Sequence, residues 1–381
     1  MTLSGRHLIL AAAAGWCACL LGVVPAASQA GPEPKPPMAE NVYLNVQVLK
    51  GIPVDQFNDT MGMFSAALLL DCVGCHDPRI TSDPKAFAVA TPRIQRARGM
   101  VTMMNAINRT YFAGRQRMTC FTCHNGDPQP EQSPSLRLQY GALLEDPSSL
   151  KFFPDIAAPP AGQILAKYVQ ALGGAPRLAA ITSYTARGTY VGFDTSDAEV
   201  PLEIFSRAPN LRAMIARPTV GSDLIWIYNG RNGWKYQSDT PVPLVELTGW
   251  NLTGAGLDAM VFFPAGIPKA FAQWQVSFAD IDGRQVQVVR GINPGQSPVN
   301  LHFDESGLLV RLVRWTETAG GPVPVQIDYS DYREVAGVKM PFHWVTTWTN
   351  GQSTIQLSDL RSNVAIDEAR FARPDPAPTK R

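Results

Sequence analysis

Four cysteines and two histidines in two short runs, Cys72-Val73-Gly74-Cys75-His76 and Cys120-Phe121-Thr122-Cys123-His124, carry the plainest chemistry in this sequence. In C-x-x-C-H the two thiols add to the vinyl groups of one porphyrin, and the imidazole that follows ligates its iron. This is the attachment pattern of c-type haem. The trailing histidine is idle in other readings. A thioredoxin-like dithiol does not need it and sits in a βαβ pattern that is absent here. A zinc ribbon pairs its C-x-x-C knuckles roughly 15–20 residues apart, whereas 44 residues separate Cys75 from Cys120. Two covalent haems c per chain are therefore expected, with structural zinc as the alternative use of the thiols. Cys72, Cys75, Cys120 and Cys123 would form the thioethers, and His76 and His124 would be the proximal iron ligands.

The elements that must position these groups repeat. Pro53 opens a helical pattern running to about Leu70, with Phe57, Met61, Phe64 and Leu68 on one face and Met63 turned away. Thr91 is an N-cap with Pro92 at the first helical position, and the second helix runs to about Phe112. Met100, Met104, Ile107 and Tyr111 share its face. Each helix leads into a C-x-x-C-H, with an offset of 48 residues from Cys72 to Cys120. A methionine packed across the ring would give His/Met ligation, which raises the haem potential and suits electron transfer. Met61 and Met100 are the candidates. Methionine also fills gaps in apolar cores, which is the other use open to Met61 and Met100 and to Met63, Met103, Met104 and Met118. Arg93, Arg96 and Arg98 either pair with haem propionates or form a solvated basic face.

The run Asn45-Val46-Gln47-Val48-Leu49-Lys50-Gly51 followed by Phe57-Asn58-Asp59-Thr60-Met61 resembles the cytochrome subunit of purple-bacterial photosynthetic reaction centres. Ala97-Arg98-Gly99-Met100, Ile107-Asn108 and the segment Met118 to Gly126 resemble it too. The resemblance covers about residues 42–126 and implies that Met61 and Met100 are the distal iron ligands. The family's subunit carries four haems in two such halves, and this chain carries one half. The segment between Met100 and Cys120 is shorter than the family's and has no histidine.

Lys and Arg number 33 against 32 Asp and Glu in 381 residues, so no strong field favours nucleic acid. Arg6 and His7 precede the apolar run Leu8 to Val24, and Ser28-Gln29-Ala30 is a small-x-small cleavage site, the layout of a secretory signal peptide over residues 1–30. A membrane anchor is the alternative, and a lipid on Cys19 a further one. The expected organisation is multidomain. A mainly α diheme cytochrome c domain spans 31–152, a stiff Pro/Ala linker 153–162, an antiparallel β domain 163–373 and a tail 374–381 (α+β overall).

In the third segment the period changes to two. Asn229-Gly230, Asp282-Gly283 and Asn350-Gly351 stand between alternating runs, the strongest short hairpin signals. A helical interruption is expected near Gly254 to Phe263. Leu172-Gly173-Gly174, Gly337-Val338-Lys339-Met340-Pro341-Phe342 and Asn363-Val364-Ala365-Ile366-Asp367 resemble the turns of periplasmic lipoprotein-carrier-like domains. That resemblance implies a curved half-barrel with a helix across its open side, and a concave face that either holds a lipid or quinone or is a filled core. His302 and His343 lie on expected strands, facing a haem or simply part of the sheet.

Together these readings imply an exported, periplasmic diheme electron carrier rather than an enzyme, exchanging single electrons with donor and acceptor proteins or a membrane redox complex. A diheme peroxidase or quinol-oxidising enzyme, and a lipid- or quinone-binding module with accessory haem, are the alternatives.

Overall fold

Three prolines set the pace of the N-terminal region in this computed structural model, which describes residues 35–133 and 152–375. The expected signal peptide lies outside the described residues. Helix α1 (Ala39–Val42) is a single turn, followed by α2 (Val54–Leu68), which ends at Leu69 in the left-handed conformation (φ 47°). Helix α3 (Cys72–Cys75) is the first haem motif itself, capped by Asp71, whose carboxylate accepts from Gly74 N at 2.7 Å. Pro78 and Pro84 then each open a short 3-10 turn, and Pro92 opens α4 (Pro92–Tyr111) with Thr91 as its N-cap. A proline disfavours helix in the residue before it, so the stretch between the first haem motif and α4 is turns and loops. "Mainly α" overstates this region for that reason. Helix α5 (Cys120–His124) is the second motif, closed by a Thr119/Thr122 capping box.

The C-terminal part begins with α6 (Ala161–Ala171) and α7 (Ala175–Ala180). Strands β1 (Ser183–Gly192), β2 (Val200–Arg207), β3 (Leu211–Ala216), β4 (Leu224–Tyr228), β5 (Gly233–Tyr236) and β6 (Leu244–Glu246) precede α8 (Gly249–Met260). Strands β7 (Gln273–Ile281), β8 (Arg284–Ile292), β9 (Val299–Phe303), β10 (Leu309–Thr316), β11 (Val323–Val335), β12 (Val338–Trp348) and β13 (Gly351–Ser362) follow it. All pair antiparallel in one sheet, ordered β6-β5-β4-β3-β2-β1-β13-β12-β11-β10-β9-β8-β7. The three Asn-Gly and Asp-Gly turns fall between β4 and β5, β7 and β8, and β12 and β13, as their sequence requires.

The sheet curls. Asp258 of α8 binds Arg314 of β10 through both carboxylate oxygens (3.1 and 2.8 Å), while its carbonyl accepts from Arg212 Nη1 of β3 at 3.0 Å. Six strand-to-strand steps separate β3 from β10 in that order, about 29 Å if the sheet were flat. Two arginines reach one residue only if the sheet wraps around the helix. The core inside the curl gathers Tyr168 of α6, Tyr184, Leu202, Phe263, Leu312 and Leu357.

The linker region is not a free spacer. Asp155 N donates to the Val276 carbonyl at 2.9 Å, and Ser277 Oγ to the Phe153 carbonyl at 2.7 Å. It therefore runs beside the edge strand β7 and uses backbone groups an edge would otherwise leave open.

His302 is fully buried on β9, and neither ring nitrogen has a hydrogen-bond partner. Burial, helped by the Arg311 charge, lowers its pKa to about 4. The native state therefore holds the ring neutral where the unfolded chain would protonate it. Stability is full above the ordinary histidine value near 6.5 and is lost as pH falls from there towards 4, by up to about 3 kcal/mol. Denaturant unfolding at pH 7 and pH 4.5 measures this, and His302→Leu removes that part of the acid sensitivity. His343 instead sits at the surface of β12 and shares a 2.8 Å hydrogen bond with Ser330 Oγ.

Candidate haem-binding site

Helix α2 is the beam on which both C-x-x-C-H motifs are mounted. The first follows it directly. The second is tied to its end, because Gly126 N donates to the Ala67 carbonyl at 3.0 Å, with Ala67 fully buried there. Asn108 of α4, also buried, folds the intervening chain back. Its Oδ1 accepts from Arg117 N and Met118 N at 2.9 and 2.8 Å, and its Nδ2 donates to the Met118 carbonyl at 2.7 Å.

These elements enclose a cavity of about 400 Å³ lined by Met61, Met100, Cys75, Cys120, His76 and His124. Phe57, Phe64 and Leu68 line it from α2, and Met104 and Ile107 from α4, as the shared faces predict. Tyr111 does not; it is 76% exposed at the end of α4. Met63 points away, buried against Ala67, Val323 and Cys120. Met103, Met104 and Met118 line the same cavity, so geometry keeps several thioethers near it. Arg93, Arg96 and Arg98 stand in its wall; Arg93 donates to the Gly74 carbonyl and Arg98 Nη2 to the Asn45 carbonyl at 2.8 Å.

The residues fit the group that the motifs imply. His76 Nδ1 lies 3.2 Å from the Phe87 carbonyl and His124 Nδ1 2.9 Å from the Asp127 carbonyl. A carbonyl can only accept, so Nδ1 carries the proton and donates while Nε2 keeps the lone pair, which fixes the tautomer of a metal ligand. Burial lowers the His76 pKa, favouring that neutral ring. Burial also raises the thiol of Cys75, and that of Cys120 to about 11. All four cysteines are free thiols. Among the described residues no group of three or more His, Cys, Asp or Glu side chains is placed to hold a bare metal ion.

Contacts from the sheet complete the site, and the sequence reading missed them. The turn between β10 and β11 lies on the second motif. Gly320 accepts from Cys120 N at 3.1 Å, Ala319 accepts from Gln116 Nε2 at 2.9 Å, and Ala319 N donates to the buried Thr60 Oγ1 at 3.1 Å. A side chain on Gly320 would meet Met63 Cγ at 2.7 Å and Cys120 Sγ at 3.1 Å. Gly320→Ala is therefore expected to cost about 1–3 kcal/mol by overpacking and to perturb the second motif, read as a lower melting temperature with an altered haem spectrum. Further along α2, Asp55 accepts from Thr248 N and Oγ1 at 2.7 and 2.8 Å, and Asn251 Nδ2 donates to Asp59 at 2.6 Å. Burial raises the Asp59 carboxyl above the usual range, against the opposing pull of Lys235 and Asn251. The only advance signal for these contacts was the polar row Asp55, Asp59 and Thr60 on a helix whose other face is apolar.

Comparison with known proteins agrees with the motif reading. Residues 19–137 match the family model of the photosynthetic reaction centre cytochrome C subunit, and residues 244–358 match a family of unknown function. The reaction centre cytochrome c subunit of Thermochromatium tepidum is 31% identical over 112 residues, covering 28% of this chain and 25% of that protein. The subunit of Rubrivivax gelatinosus is 30% identical over 100 residues, covering 25% of this chain and 26% of that protein. The chain thus spans about a quarter of the length of the curated relatives it matches. Among solved structures, a LolA superfamily protein from Nitrosomonas europaea is 14% identical with a TM-score of 0.39, covering 56% of this chain and 98% of that one. A DUF1329 family protein from Desulfovibrio piger is 11% identical with a TM-score of 0.38, with the same coverages.

Proposed function

The N-terminal part resembles the reaction centre cytochrome c subunit, and we propose that this chain is an exported c-type cytochrome that holds two haems and passes single electrons between partner proteins. One observation carries the reading. Two C-x-x-C-H motifs open on one cavity, each histidine has its Nδ1 committed to a backbone carbonyl, and methionines stand in the same walls. Bound haem supplies a one-electron iron couple. The chain's own residues hold it: Cys72, Cys75, Cys120 and Cys123 by thioether bonds, His76 and His124 as proximal ligands, Met61 and Met100 as distal ones. Methionine sulfur from Met61 and Met100 would raise the potential of each iron and would occupy the position that an enzyme would keep open. Arg93, Arg96 and Arg98 are placed to pair with propionates.

The leader residues support a periplasmic location, and among the described residues no helix is long and apolar enough to cross a membrane. Donor and acceptor proteins, or a membrane redox complex, are the partners this role requires. The curled sheet is a half-barrel in this reading, fused behind the cytochrome part.

The test is to express the chain with haem-attachment machinery, count covalent haem and record oxidised and reduced spectra. Two low-spin haems with a methionine–iron band, lost in turn in Met61→Ala and Met100→Ala, is the expected result. A high-spin iron would favour a redox enzyme, and a chain without covalent haem would overturn the proposal.

A further inference from the structure

A second cavity, of about 390 Å³, lies inside the curl of the sheet, apart from the haem chemistry. Tyr190, Trp226, Phe262 and Trp344 stand in its wall. Tyr190 and Trp226 have ring centroids 5.4 Å apart, and Phe262 and Trp344 meet edge to face at 5.3 Å. Arg212, also in the wall, is held over Phe262 and Trp344, its Cζ 4.8 and 5.7 Å from the two centroids.

The polar groups of this wall are unevenly satisfied. Arg314 is paired through Nε and Nη2 to the Asp258 carboxylate. Arg212 uses Nη1 on the Asp258 carbonyl, but its Nε, shielded from solvent, has no partner in the protein. Thr316 Oγ1, on a cavity-lining residue that is only 5% exposed, is in the same position. Buried polar groups are normally paired, and a native fold leaves few without a partner. Here two groups able to donate, Arg212 Nε and Thr316 Oγ1, border one cavity.

That chemistry selects a ligand class. A saturated acyl chain would cover a guanidinium and a hydroxyl with methylenes and leave their desolvation uncompensated. A flat conjugated ring fits against aromatic faces, and oxygen acceptors on its rim answer the donors. We propose that the cavity binds a planar ring compound bearing a carbonyl or carboxylate oxygen, received by Arg212 and Thr316 between the aromatic walls. The site is independent of the haem assignment. It borders it, however: Asn58 and Asp59 of α2 line this cavity, while Phe57 and Met61 of the same helix line the other. Occupancy of one cavity is therefore placed to be felt in the other, and such coupling is reciprocal.

The test is isothermal titration of the purified diheme chain with 1,4-naphthoquinone, 2-naphthoate and palmitate. At least one ring probe should bind saturably at one site per chain, and palmitate should not displace it. The preferred probe tells a carbonyl from a carboxylate ligand. Thr316→Val, which keeps the volume and removes the hydroxyl, and Arg212→Gln should each weaken binding tenfold or more. The threonine variant carries the test alone if the arginine variant does not fold, as judged by circular dichroism. Displacement of the rings by palmitate, no ring binding up to the solubility limit, or affinities unchanged in the folded variants would each overturn the proposal.

Discussion

A chain carrying Cys120→Ser and Cys123→Ser should leave the attachment machinery with half its covalent haem, one per chain where the parent has two. The expectation rests on how separately the two motifs are built. The first is capped by Asp71 and its histidine is anchored to Phe87. The second is capped by Thr119 and Thr122 and its histidine is anchored to Asp127. Neither set borrows a group from the other. Serine keeps the size of cysteine and cannot form the thioether, so the first haem should attach at its normal yield and keep its own spectrum. Haem content by pyridine haemochrome, set against protein mass, gives the count. Loss of both haems would mean that the motifs load as one unit, which the shared helix α2 would then have to explain. An unchanged count would remove Cys120 and Cys123 from the site.

Asp55→Ala should be the most damaging single change away from the haem ligands. The Asp55 carboxylate is 5% exposed and accepts from Thr248 N, Thr248 Oγ1 and Asn251 Nδ2. Thr248 is also the N-cap of α8, and its side chain is already turned to Asp55. Alanine leaves the Thr248 backbone N–H and hydroxyl without their acceptor in a closed interface, while the Asn251 amide keeps Asp59, at a cost of about 3 kcal/mol in all. For a chain of this size that lowers the melting temperature by several degrees or more. Because α2 carries Met61, the same variant should disturb the haem spectrum. Asp55→Asn keeps one acceptor oxygen and should lose less on both measures. Equal stability of Asp55→Ala and the parent would show that the haem region and the sheet are merely adjacent.

What could be read in the sequence is local. The C-x-x-C-H runs, the Thr91-Pro92 start of α4, the turns at Asn229-Gly230, Asp282-Gly283 and Asn350-Gly351, and the methionine and phenylalanine stripe of α2 each depend on residues a few positions apart. A cap, a tight turn and a helix face are decided by the backbone's own sterics and hydrogen bonds, so neighbouring residue types suffice to reveal them. Asn108 was legible only as a family likeness; its hydrogen bonds needed the fold.

The tertiary structure alone decided how these pieces meet. Asp55 finds Thr248 across 193 residues of chain, and Thr60 finds Ala319 across 259. The Pro/Ala segment reads as a spacer by composition, yet it lies against β7 because an edge strand offers it free backbone groups. The curl of the sheet, and with it the aromatic cavity around Arg212, comes from Asp258 drawing in two arginines from strands far apart in the sheet. Such contacts leave no periodic trace in the sequence, since each is a single polar residue whose partner is set by the whole fold. The haem motifs are written in consecutive residues because a covalent attachment needs them side by side; the surroundings that position and couple them are assembled from the full length of the chain.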